Sequence, residues 1–105
     1  MSFIIDEIGQ PALLEQLAEE CSELAQASLK LSRYLRGENP PEKSRMTLVS
    51  HLLEEIADVD NILVLVARTE MYDAARVLRI RENKMARWAQ RIEAGRQQAE
   101  EGEQK

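Results

Sequence analysis

Aromatic residues are scarce in this chain, with one Trp, two Tyr and one Phe among 105 residues. Any core therefore has to be built from Leu, Ile, Val, Ala and Met, a palette that suits helices. The single cysteine, Cys21, excludes an intramolecular disulfide. The single histidine, His51, leaves no Ser/His/Asp or Cys/His set to assemble. It also leaves a ferritin-like di-iron bundle, which takes two Glu-x-x-His units, short of a ligand. There is no Gly-rich phosphate loop, no repeat of solenoid length, and no charged start followed by a long apolar run. The last absence speaks against a signal peptide or membrane span, and with one cysteine it makes a cytoplasmic location the expectation. Positive charge is in deficit, 14 Lys and Arg against 19 Asp and Glu for a net charge of -5. That balance disfavours a broad electrostatic grip on nucleic acid but permits a compact, cation-assisted anion site.

What is present is helical periodicity. The length and the lack of a second compositional block suggest one domain over residues 1–105. Residues 1–11 carry a short apolar group, Phe3, Ile4, Ile5 and Ile8, as a lead-in that breaks at Gly9-Gln10-Pro11. From Ala12 to Arg36, Leu13, Leu14, Leu17, Cys21, Leu24, Ser28, Leu31 and Leu35 recur at three- and four-residue steps, which predicts a first helix with Cys21 turned to the core. Gly37 is placed to end it, Pro40-Pro41 to prevent its resumption, and Ser44 or Thr47 to cap the next helix after a loop over about 37–46. Leu48, Val49, Leu52, Leu53, Ile56, Val59, Leu63 and Val66 predict a second helix to about Arg68.

The run Ile62 to Ala67 is apolar all round, so it needs cover on every side. This predicts an all-α, antiparallel helical bundle completed by oligomerisation. A third helix follows a turn near Thr69-Glu70 and runs to about Ala94, with Met71, Ala74, Ala75, Leu78, Met85, Trp88, Ala89 and Ile92 as a looser stripe. The polar tail from 95 to 105 lacks apolar residues larger than Ala and is expected to fray.

Two acidic pairs carry the chemistry. Glu20 and Glu23 in the first helix, and Glu55 and Asp58 in the second, are spaced i, i+3, so that each pair shares a helix surface. Two antiparallel helices can bring all four carboxylates around hard metal ions, and oxygen-only ligands favour Mg²⁺ or Mn²⁺. At 100° per residue Glu20 falls roughly 70° from the centre of its apolar stripe, and Glu55 sits on the shoulder of the other. A carboxylate half-buried there needs a cation, whereas Glu19 and Glu54 point towards solvent. Ordinary surface acids are the competing explanation for each pair. Asp60 falls about 60° from the centre of the second stripe and suggests a partner for an arginine across an interface.

The third helix adds Lys84, Arg87 and Arg91, stepping by three and four along one side of its stripe. Such cations are common donors to phosphate oxygens, and equally common as salt-bridging surface groups. Trp88, on the apolar side of this row, is expected in the core, and His51 on the surface.

Taken together, these residues resemble the MazG-like, all-α nucleoside triphosphate pyrophosphatase superfamily, whose signature is EExxE followed on the next helix by ExxD. Glu19-Glu20-Cys21-Ser22-Glu23 fits the first element and Glu55-Ile56-Ala57-Asp58 the second. Asn83-Lys84 with Arg87 looks like the family's phosphate-binding stretch. The resemblance spans roughly residues 12–92, with the loop from Gly37 to Arg45 making the interval between Glu23 and Glu55 slightly longer than the family's commoner spacing. It implies Mg²⁺-dependent hydrolysis of a nucleoside triphosphate between the α and β phosphates. It also implies a homodimer or homotetramer, metals on Glu20, Glu23, Glu55 and Asp58, and substrate contacts from Asn83, Lys84 and Arg87, to which the helical row of cations adds Arg91. A non-catalytic helical oligomer or adaptor is the rival that the apolar run would serve equally well.

Overall fold

The computed structural model describes residues 2–38 and 43–103, all within three helices and their turns, with no strand among them. The helices are α1 (Ser2–Leu35), α2 (Arg45–Val66) and α3 (Ala74–Glu103). Although the composition shows no second block, the chain forms two compact units, Met1–Met71 and Tyr72–Lys105.

In the first unit α1 and α2 form an antiparallel hairpin. Gln10, early in α1, donates from Nε2 to both carboxylate oxygens of Glu70, just beyond α2, at 2.9 and 2.8 Å. The lead-in is itself helical and belongs to α1, which is interrupted at Gly9 (φ 81, ψ 165). A side chain there would be strained, and Pro11 tolerates the resumed first turn because its missing N–H has no partner to lose. At the other end Gly37 takes φ 74, Glu38 N–H bonds to Arg33 O, and Gly37 N–H to Tyr34 O. This pair of bonds is the Schellman arrangement that satisfies the last carbonyls of a helix. The predicted stop at Pro40-Pro41 lies outside the described residues. Of the two candidate caps for α2, Ser44 is the one used, its Oγ accepting from Thr47 N at 3.2 Å.

The hairpin's seam follows a seven-residue repeat. On α1 it runs through Leu13, Leu17, Glu20, Leu24, Ala27, Leu31 and Tyr34, and on α2 through Leu48, Leu52, Glu55, Val59, Ile62 and Val66. Alternating steps of three and four keep one line of side chains facing the partner helix. Leu13, Ala27, Leu48 and Val59 are buried, as is Leu65 beside the seam. This line is displaced from the stripe read in the sequence. Leu14 and Leu35 are exposed, and Cys21, expected in the core, is exposed with them. One residue is 100° of helix, so Cys21 is carried off a seam that passes through Glu20. Asp60, one residue beyond buried Val59, is exposed for the same reason. In the all-apolar run only Leu65 is buried, while Leu63 and Val64 are each 45% exposed.

The second unit is essentially α3. It starts later than expected, at Ala74, because Asp73 caps it: the Oδ1 atom accepts from Arg76 N at 3.1 Å. The helix also continues to Glu103, through the segment expected to fray. Arg, Gln, Ala and Glu are strong helix formers, and Arg96 pairs with Glu93 at 3.5 Å one turn back. Local propensity thus favours helix where tertiary burial offers nothing. No residue of α3 is buried. Trp88, expected in the core, is 56% exposed, since a unit consisting of one helix has no core to receive it.

Candidate metal centre

The antiparallel hairpin brings Glu20, Glu23, Glu55 and Asp58 together: one carboxylate oxygen from each lies within 4.8 Å of all the others. The i, i+3 spacing stacks the members of each pair one turn apart, and the seam register sets the two pairs opposite each other. Their environments differ in the way the helical geometry suggested, and more sharply. Glu20 and Glu55 occupy seam positions, where neighbouring turns place Leu17, Leu24, Leu52 and Val59. The Glu55 side chain is only 12% exposed. Glu23 and Asp58 are exposed at the edge, as are Glu19 and Glu54.

Each seam glutamate has one oxygen held and one left over. Glu20 Oε1 accepts from Gln16 Nε2 at 2.8 Å. Glu55 Oε1 lies 3.2 Å from His51 Nε2. The second oxygens, Glu20 Oε2 and Glu55 Oε2, are buried and have no hydrogen-bond partner. An orphaned buried acceptor costs about 1–3 kcal/mol, and here two carboxylates face each other with two more beside them. The strain shows at Glu23, whose carboxyl is held above its ordinary range. The Glu20 charge is the largest cause, followed by desolvation, the charges of Glu55 and Glu19, and a hydrogen bond shared with the Glu20 side chain. No lysine or arginine forms an ion pair with the four acids among the described residues. All-oxygen, anionic and partly dehydrated, the set could hold a hard metal cation.

His51 and Gln16 are the residues that sequence reasoning missed. Each is one turn before a seam glutamate, and the i, i+4 spacing was the available signal. On α3, Arg81, Lys84, Met85, Arg87, Trp88 and Arg91 line one open recess. Lys84, Arg87 and Arg91 are therefore neighbours, with Arg81 as a fourth cation that the sequence row had left out. Asn83 is exposed and does not line the recess.

No protein-family model, curated protein or solved structure matches the chain. What the site does has to be argued from its own groups.

Proposed function

We propose that this chain is a Mg²⁺-dependent nucleoside triphosphate pyrophosphohydrolase, splitting (d)NTPs between the α and β phosphates to give (d)NMP and pyrophosphate. The observation that carries this reading is the pair of orphaned oxygens on Glu20 and Glu55, buried in a helical seam beside two further carboxylates. Surface acids avoid water-excluded positions, and structural buried acids take a cationic partner, so two glutamates facing each other, each with a buried oxygen that no donor satisfies, fit a bound cation better than either alternative.

Glu20, Glu23, Glu55 and Asp58 would hold the metal, Mg²⁺ or Mn²⁺, which when bound lowers the pKa of water and neutralises phosphate charge. Four carboxylates leave net negative charge after one divalent ion binds, so the site favours more than one cation or a cation-carrying substrate. A polyphosphate chelated to Mg²⁺ is such a substrate. On α3, Arg81, Lys84, Arg87 and Arg91 are forked and point-charge cations of the kind that bind phosphate oxygens, and the resemblance in sequence assigns such a role to Asn83 with Lys84 and Arg87. In the same reading the protein is a homodimer or homotetramer, cytoplasmic, and engaged in nucleotide-pool housekeeping.

A second reading, a non-catalytic helical oligomer or adaptor, is favoured by the apolar side chains Leu53, Ile56, Leu63 and Val64, exposed on α2. Incubation of purified protein with the common NTPs, dCTP and dUTP separates the two. The enzyme releases pyrophosphate with Mg²⁺ or Mn²⁺ and loses that activity on Glu55→Gln. Absence of pyrophosphate with every nucleotide, together with unchanged metal binding in Glu55→Gln, would leave the adaptor reading.

A further inference from the structure

The two seam glutamates are related in a way that their role as metal ligands does not require. Gln16 precedes Glu20 by four residues on α1, and His51 precedes Glu55 by four on α2. In both cases a side-chain nitrogen from the preceding turn meets Oε1, at 2.8 and 3.2 Å, while Oε2 is buried and unpartnered. The antiparallel packing sets these two tethered glutamates against each other. A free glutamate has three side-chain torsions and loses their freedom when it binds an ion; a tether on one oxygen removes much of that freedom beforehand.

We infer that Gln16 and His51 are positioning residues of the cation site, each fixing one oxygen of a seam glutamate and presenting the other to the metal. This rests on the metal reading given above. It specifies which oxygens bind, Glu20 Oε2 and Glu55 Oε2, and makes both glutamates single-oxygen ligands. An oxygen already engaged by a donor and held in one orientation is a poorer second ligand to the same ion, so the tethers favour single-oxygen coordination and with it the smaller cation. Mg²⁺ takes six oxygens in a strict octahedron, whereas Ca²⁺ accepts carboxylates through both oxygens. His51 meets Glu55 through Nε2, a ring nitrogen able to donate to a carboxylate oxygen. Outer partners of this kind orient ligands in many metal sites.

The test is Mn²⁺ and Ca²⁺ titration of the intact chain, followed by calorimetry and by the electron paramagnetic resonance of free Mn²⁺, with circular dichroism to verify folding. Gln16→Ala and His51→Ala are expected to weaken Mn²⁺ binding by about tenfold or more each, and to weaken Ca²⁺ binding less. His51→Gln is the decisive variant. Glutamine already serves at this spacing in the Gln16 to Glu20 contact, so His51→Gln should stay within about threefold of wild type, whereas a merely space-filling role for the imidazole predicts no such rescue. Alanine variants that bind Mn²⁺ as wild type does, or a His51→Gln as weak as His51→Ala, would overturn the positioning role and leave the metal reading intact. Wild-type protein that binds neither ion would overturn both.

Discussion

Replacing Glu55 by leucine should make the metal-free protein more stable. Glu55 stands in the seam between Leu52 and Val59, its side chain is 12% exposed, and its Oε2 has no partner. A leucine at that burial contributes about 1.5–3 kcal/mol of apolar transfer, and removing the orphaned oxygen relieves about 1–3 kcal/mol. Against this stand the lost contact to His51, a partly exposed group worth about 0–1 kcal/mol, and about 1–3 kcal/mol for imperfect fit of a branched side chain. The balance is a gain of about 2 kcal/mol, or about 10 °C in Tm for a domain of this size. Magnesium should reverse the order. At a hundredfold excess over Kd it stabilises the wild type by about 2.7 kcal/mol, and it should do little for a variant without the central ligand. The assay is thermal unfolding by far-ultraviolet circular dichroism, in EDTA and in Mg²⁺, at one fixed protein concentration. A Glu55→Leu variant that melts below wild type in EDTA, or that gains as much from Mg²⁺, would refute the claim that this carboxylate is kept at the expense of stability for the sake of a cation.

The acidic cluster should also govern the pH response. Glu23 holds its proton to higher pH in the folded chain than in the unfolded one, so the native state binds more protons in that window, and metal-free stability falls as pH rises from the ordinary carboxylate range through the raised pKa. Melting curves in EDTA at several pH values should show this slope in wild type and a flatter one in Glu23→Gln; equal slopes would count against the like-charge explanation. Arg87→Ala should lower kcat/KM for a triphosphate by about 10- to 100-fold, the worth of a charge-assisted hydrogen bond, with Arg87→Lys restoring little because it lacks the fork. Unchanged kinetics would remove Arg87 from substrate binding. Light scattering should give a mass that is a multiple of the 12.0 kDa chain, with Leu63→Glu shifting it towards the monomer by placing a charge on the exposed apolar face of α2. A wild-type monomer would end the oligomer proposal.

Much of the helical framework was legible because its signals are local. The Gly37 ending and the Ser44 cap are properties of a few adjacent residues, and periodicity was enough to find three helices. Two boundaries were misjudged for local reasons too. Asp73 is a cap that the apolar count overlooked, and the tail's helix-forming residues outweighed its lack of core contacts. Burial was harder, since it depends on which side of a helix its partner takes. Leu14, Cys21 and Leu35 drew the apparent stripe of α1 towards themselves, while the seam actually follows Ala27, Tyr34 and Glu20. Small or polar residues weigh little in any hydrophobicity average, so that line was invisible until α2 lay against it.

That shift strengthens the case for the site. From the sequence Glu20 and Glu55 were acids on the shoulder of an apolar stripe, a position in which a side chain can bend outwards and keep its water. On the seam this escape is closed, and the two carboxylates take positions equivalent to Leu13 and Ala27 on one helix and to Leu48 and Ile62 on the other. A hairpin selected only for stability would fill both with leucine. Two glutamates there, each tethered through one oxygen and orphaned at the other, are costly in the absence of a ligand, and a divalent cation is the ligand whose charge and oxygen preference match the cost.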